Sequence, residues 1–98
     1  MRKSGTLKTV PIALTEPANT LQVTVNASGG QLRAQIIDAD TGQALPGLTF
    51  SDCEPITVDS LRAPVHWRKG DLSAAAGKHI QVEFEIIKAD VFAFEFIQ

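Results

Sequence analysis

Apolar and polar residues alternate along most of this chain, most regularly in its last third. From Ile80 to Ile86 every second residue is apolar and the residues between them are Gln or Glu. After a corner at residues 88–90, every second residue from Phe92 to Phe96 is Phe. A period of two predicts β-strands with one buried and one solvated face. We therefore expect two adjacent antiparallel strands here, with three phenyl rings on the inward face of the second.

The same alternation predicts further strands upstream. Residues 21–25 and 32–36 form two such segments, and Gly29 and Gly30 turn the chain between them. Shorter strands are predicted at residues 6–14, 47–50, 55–58 and 64–68, a hairpin turn at 38–42, and one helical turn at 72–76 capped by Asp71. About eight short strands predict an all-β fold, a two-sheet antiparallel β-sandwich that is jelly-roll-like or immunoglobulin-like. We expect a single domain spanning residues 1–98.

Trp67 is the only tryptophan, and its orientation bears on sugar binding. It shares a strand face with Val65, because residues two apart in a strand point the same way. Burying both is the simpler arrangement, since a buried tryptophan commonly anchors a sandwich core. Sugar rings bind against exposed aromatic faces. With the indole and the three terminal phenyl rings inside, we expect no aromatic surface for saccharides.

Charge and hydropathy exclude several partners. The formal net charge is -2 and no basic run exceeds two residues, which argues against nucleic acid. The apolar stretches are too short to cross a bilayer, so we expect no membrane partner. The residues after Lys3 are too polar for a signal peptide. We therefore expect either a cytoplasmic protein or a piece of a longer chain.

The carboxylates on the predicted outward faces are the candidates for catalytic residues. Glu83, Glu85 and Glu95 alternate with inward residues, and paired carboxylates can carry out glycoside hydrolysis. However, alternating Glu on a solvated strand face is ordinary solubility patterning and implies no cleft. We predict no catalytic residues and no enzymatic activity.

Metal and thiol chemistry are not predicted either. The run at 38–42 begins like a calcium loop but has Gly42 where a side-chain oxygen is needed. His66 and His79 have no second ligand at a spacing that suits zinc. Cys53, the only cysteine, is flanked by carboxylates that disfavour the thiolate. We expect no metal and no cofactor.

Two outward surfaces remain as candidates for binding. One is an apolar patch that would dock against another domain of a longer chain, formed by Ile37, Ile87 and Ile97. The other is a polar face that would bind polysaccharide, formed by Arg33, Gln35, Glu83, Glu85 and Glu95. The loop that carries Asp38 and Asp40 is an alternative position for the polysaccharide.

A series of short motifs covers nearly the whole chain. They are GTLKT (5–9), GQLRAQIID (30–38), GQALPG (42–47), SDC (51–53) with DS (59–60), VHW (65–67), DLS (71–73), AGK (76–78) and VFAF (91–94). In order and spacing they resemble the C-terminal β-sandwich domain of secreted bacterial glycosidases with invertase-like or sialidase-like β-propellers. The last motif departs from the family, which often has Leu-Tyr-Ser-Phe or Leu-Tyr-Ala-Phe there. The loss of the phenol hydroxyl favours packing of Phe92.

The resemblance implies that any catalytic carboxylates lie in a propeller, in another part of a longer exported protein. The expected function is thus a non-catalytic accessory domain, extracellular or periplasmic, that supports or docks onto the catalytic domain. A carbohydrate-binding module with a polar face is the first alternative. A free-standing adhesion or assembly module, pairing through the isoleucine patch or a sheet edge, is the second.

Overall fold

The computed structural model describes residues 3–14, 20–70 and 72–97, and these residues form seven strands. They are β1 (Lys3–Lys8), β2 (Ile12–Leu14), β3 (Thr20–Asn26), β4 (Gln31–Asp38), β5 (Gln43–Ala44), β6 (Ser60–Val65) and β7 (Lys78–Ile97), with 3₁₀ turns at Phe50–Asp52 and Leu72–Ala75. All strand pairs are antiparallel. The all-β antiparallel prediction is confirmed. The predicted cap, Asp71, lies outside the described residues.

The C-terminal strand β7 is continuous over 20 residues, so the prediction of two strands joined by a reversing corner is wrong. Lys88 has a φ of 50°, a left-handed conformation that bends the strand without reversing it. β4 and β3 both run along β7, one on each side of this bend. Gln31 of β4 lies opposite Ile87, and Asn26 of β3 lies opposite Asp90.

The sheet is strongly curled around the bend of β7. A straight strand of this length would extend about 65 Å, whereas the longest dimension of the molecule is 37 Å. β1 and β4 both pair with the same residues at the start of β7, so they lie on its two opposite edges. β2 also pairs with β7, β5 pairs with β4, and β6 pairs with β3. The strands therefore form one curled seven-stranded sheet whose two halves share β7. The finer expectation, a two-sheet sandwich, stays a prediction.

One hydrophobic core joins the inward faces of both halves of this sheet. Phe84 is fully buried in the first half of β7, and its ring contacts that of Phe94 with centroids 5.6 Å apart. Trp67 is only 9% exposed, and its Nε1 donates a hydrogen bond to the carbonyl of Ala34 at 3.0 Å. The prediction that Trp67 is a core residue is confirmed.

Several short predicted elements differ in the structure. Residues 47–50 and 55–58 form no strand; Leu48 and Ile56 are instead buried individually and held by backbone hydrogen bonds to Ile36 and Leu32. The predicted strand at 6–14 is divided into β1 and β2, with Pro11 between them. The hairpin at 38–42 is confirmed, because it connects β4 to β5.

Candidate functional site

The five predicted polysaccharide-binding residues do not form one surface. Arg33 and Gln35 of β4 face Glu85 and Glu83 of β7 on the outward side of the sheet. Nε of Arg33 lies 3.3 Å from Oε1 of Glu85, and the side-chain amide of Gln35 donates a hydrogen bond to Glu83. These four side chains are therefore engaged with one another across the two strands. Glu95 lies beyond the bend of β7, opposite Gln22 of β3. Glu95 would share a surface with Glu83 and Glu85 only if the chain reversed at residues 88–90 and β7 were two adjacent strands.

The predicted docking patch of isoleucines is also wrong. Ile37 is only 4% exposed, in register between Ala44 of β5 and Gln81 of β7. Ile87 is exposed and Ile97 is half-buried, but they lie on opposite sides of the bend in β7. The three side chains therefore cannot present one continuous apolar surface.

Phe92, predicted to point inward, is 64% exposed. The reason is a β-bulge in the pairing of β3 with β7. Thr24 pairs with Ala93 and Val25 pairs with Val91, which leaves Phe92 as the extra residue. A bulge changes the face to which the following side chains point. Phe94 and Phe96 keep the inward orientation and pack against the core.

A second bulge lies at the same level on the other side of β3. Val23 pairs with Ala63 and Val25 pairs with Ser60, so Leu61 and Arg62 together oppose Thr24. The hydroxyl of Thr24 donates to the carbonyl of Leu61 at 2.9 Å. Leu61 would share the inward face of Ala63 in a regular strand, but it is 81% exposed.

The two bulges together place Leu61 and Phe92 on the outward face of the sheet, on either side of Thr24. Burying a Leu or Phe side chain typically stabilises a protein by about 1.5–3 kcal/mol. The isolated fold forgoes most of this stabilisation at both positions. Such exposure of paired large apolar residues is typical of an interaction surface.

Two adjoining hollows cover this surface, which we call the β3 outer face. Their volumes are about 260 and 280 Å³, and both are lined by Thr24 and Leu61. Phe92 lines the second. Polar side chains border them, namely Gln22, Asn26, Asp59, Ser60, Arg62 and Glu95.

A third and larger groove, which we call the β1 groove, lies between β1 and the bend of β7. Its volume is about 450 Å³. Its apolar lining is Leu7, Ile86, Ala89, Val91 and Phe92, and Ser4, Gly5, Thr6 and Asp90 complete it. Leu7 is half exposed although its partner in register, Phe84, is fully buried.

Cys53 is the one group among the described residues for which a pKa shift is resolved. Burial raises the pKa of its thiol above the ordinary value of 9.0, because a thiolate is poorly solvated in an apolar environment. Its sulfur accepts a hydrogen bond from the backbone N–H of Ala34 at 3.4 Å. The thiol therefore connects the 3₁₀ turn region to β4 and is unsuited to nucleophilic chemistry.

We expect Cys53 to resist alkylation by iodoacetamide at pH 8 and to react only after unfolding in urea. Since its pKa is raised in the folded state, the unfolded chain loses the proton first, and the contribution of the thiol to stability decreases as pH rises above about 9. Mass spectrometry of the alkylated protein measures the first effect, and urea titrations of the wild type and Cys53→Ala from pH 7 to 10 measure the second. Rapid alkylation of the folded protein would contradict this assignment.

No group of three or more His, Cys, Asp or Glu side chains suited to a metal ion occurs among the described residues. His66 lies in the loop after β6 and His79 lies near the start of β7, and both are exposed. Within the same residues, no helix is long and apolar enough to cross a membrane.

The β3 outer face is not predicted by the sequence analysis. Val91 and Phe92 are adjacent apolar residues, which a strict alternation on a half-solvated strand would not contain. The same adjacency occurs at Ile86 and Ile87, where the pairing of β4 with β7 is regular, so it does not by itself predict a bulge. The bulge at Leu61 has no signal, because Leu61, Ala63 and Val65 alternate regularly with polar residues or proline and Leu61 is thereby predicted to point inward.

Comparisons with protein-family models, curated proteins and solved structures found no match to this chain.

Proposed function

We propose that this chain is a non-catalytic accessory β-domain of a carbohydrate-active enzyme of the glycoside hydrolase type, and that it docks onto the catalytic domain. The observation that carries the proposal is the β1 groove, an open apolar channel beside the edge strand β1. A folded domain gains no stability from leaving Leu7 half exposed. A neighbouring domain that covered the groove would recover that stabilisation.

The position of the groove supports the same partner. The resemblance to glycosidase C-terminal domains implies a catalytic domain before this one in the chain, and β1 would then be the strand nearest to it in sequence. Segment 4–7 of β1 forms one wall of the groove, and residues 89–92 of β7 form the other. In this proposal the protein is exported, and the accessory domain is extracellular or periplasmic.

The contacts that the candidate carboxylates make with neighbouring side chains support a non-catalytic role. Glu83 and Glu85 interact with Gln35 and Arg33 on an outward strand face. A pair of carboxylates that hydrolyses glycosides must instead face a substrate from both sides of the scissile bond. Side chains occupied across neighbouring strands fit a structural role better.

Hydrogen exchange tests the docking. The polypeptide encoded by the complete reading frame is compared with residues 1–98 alone, and we expect amides at 4–7 and 89–92 to be protected further in the complete polypeptide. The variant Leu7→Lys should remove that extra protection, because a buried lysine is costly at an apolar interface. Val58→Lys is the matched control, since Val58 is similarly exposed but does not line the groove. Equal exchange in both proteins, or a reading frame without a catalytic domain, would contradict the proposal.

A further inference from the structure

The β3 outer face combines an exposed aromatic ring with polar hydrogen-bonding groups. The ring of Phe92 and the side chain of Leu61 flank the hydroxyl of Thr24. Asn26 lies in the same hollow, and Gln22 lies in the adjoining one. An apolar face bordered by amide and hydroxyl groups matches a sugar ring, which presents CH groups on its faces and hydroxyls around its edge.

The two bulges place this arrangement in a part of the sheet where the central strand is paired on both sides. Thr24 belongs to β3, which is paired on both sides, with β6 and β7. The hydrogen bond from Thr24 to Leu61 holds the bulge of β6 in place. Since paired strands hold the backbone at Leu61 and Phe92, the positions from which both side chains project are set before any ligand binds. Preformed surfaces lose less conformational entropy on binding.

The charges around the hollows select among saccharides. Asp59 and Glu95 lie at their borders, and Arg62 is the one cation that lines them among the described residues. This excess of negative charge disfavours uronic acids and sulfated sugars. Each hollow is smaller than a typical enclosed small-molecule pocket of about 300–1,000 Å³. The surface therefore suits a short stretch of a neutral chain bound weakly along it.

We infer that the β3 outer face is a saccharide-binding surface for neutral hexose or pentose oligomers, with Phe92 as the stacking platform and Gln22, Asn26 and Glu95 as hydrogen-bonding groups. This inference rests on the proposed function, since it supplies the accessory domain with a substrate-recognition role. It differs from the polar face considered in the sequence analysis, where Arg33 and Gln35 are already paired with Glu85 and Glu83.

NMR titration tests the inference. The ¹⁵N-labelled domain is titrated with cellotetraose, laminaritetraose, xylotetraose and 1-kestose, and with tri-galacturonate as the acidic comparison. We expect at least one neutral oligosaccharide to shift the amides of residues 22–26, 61–62 and 92–95 with millimolar affinity, and the acidic sugar to bind at least about 10-fold more weakly. Shifts confined to residues 33–35 and 83–85 would instead favour the polar face and overturn the inference.

Variants separate stacking from general surface effects. Phe92→Ala and Leu61→Ala should each weaken binding by about 10-fold or more, and Phe92→Tyr should retain it because the ring is kept. Val10→Ala is the matched control, since Val10 is strongly exposed but lines neither hollow. Unchanged binding by Phe92→Ala would overturn the inference.

The remaining outcomes distinguish this inference from the proposed function. Absence of binding by every oligosaccharide, together with protection of residues 4–7 in the complete polypeptide, would overturn the saccharide site and keep the docking role. Concentration-dependent light scattering that Phe92→Ala abolishes would assign the surface to a second copy of the chain and overturn the saccharide site as well.

Discussion

Gly30→Ala is expected to destabilise the protein by about 3–5 kcal/mol, enough to leave much of a small domain unfolded. The physical reason is the close passage of Gly30 against the bend of β7. A Cβ atom at Gly30 would lie far inside van der Waals contact of the carbonyl oxygens of Ile87 and Lys88. Both clashing atoms belong to backbone, so they cannot move aside as a flexible side chain would.

Urea unfolding of the two proteins measures this effect, and Gly29→Ala is the matched control. Gly29 has a positive φ of 83°, but a Cβ atom added there would meet nothing within 4 Å, so its substitution carries only the conformational cost of about 1–2 kcal/mol. If Gly30→Ala proved no more destabilising than Gly29→Ala, the contact between this turn and β7 would be wrong. The curl of the sheet around Lys88 would then be wrong as well.

Phe84→Ala should have an effect of similar size, with a loss of about 3–5 kcal/mol. Phe84 is fully buried where β1 and β4 pair with the two edges of β7, opposite Leu7 and Ala34. Its removal would leave a cavity that the surrounding strands cannot close, because they are held by their hydrogen bonds. Calorimetry or urea titration measures the loss.

The conservative variant Phe84→Leu is expected to cost less, about 1–1.5 kcal/mol, since much of the volume is kept. A fully tolerated Phe84→Ala would mean that the first half of β7 does not pass through the centre of the core. That result would contradict the arrangement of β1 and β4 on opposite edges of the strand.

The alternation of residues is sufficient to predict the all-β class, the strands β3 and β4, and the burial of Trp67. Each of these depends on local periodicity, which the sequence carries directly. The orientation of Trp67 follows from that of Val65, because both lie on one face of the chain. The hairpin between β4 and β5 follows from turn residues whose conformational preferences are also local.

The continuity of β7 cannot be predicted in the same way. The run Lys88-Ala89-Asp90 has the composition of a turn, but here it bends one strand whose two halves are held by β4 and β3. Whether such a run reverses the chain depends on which partners lie beside it. Pairing partners far apart in sequence are not encoded by periodicity.

The same limit explains the errors at the candidate sites. A reversal at residues 88–90 would bring Glu95 near Glu83 and Glu85, whereas a continuous strand keeps them apart. If residues 91–96 alternated regularly, Phe92 would point inward with Phe94 and Phe96; the bulge breaks this alternation. A bulge arises from the register between strands, which a single-strand pattern does not contain.

These corrections change the functional interpretation. With Phe92 inside, the domain has no aromatic surface for sugars, and saccharide binding is expected only as an alternative through a polar face. With Phe92 and Leu61 both directed outward at one level of β3, the domain has a second surface of different chemistry from the β1 groove. In the two proposals, docking uses the β1 groove and saccharide recognition uses the β3 outer face, and Phe92 lines both surfaces.

The unfolding free energy of Phe92→Ala, measured beside that of Phe84→Ala, tests the central claim most directly. If the bulge directs Phe92 to the outside, its truncation changes stability by less than about 1 kcal/mol, while truncation of Phe84 costs several times more. A loss of about 3 kcal/mol or more at Phe92 would show that the ring is part of the core and would contradict the binding surface built on it.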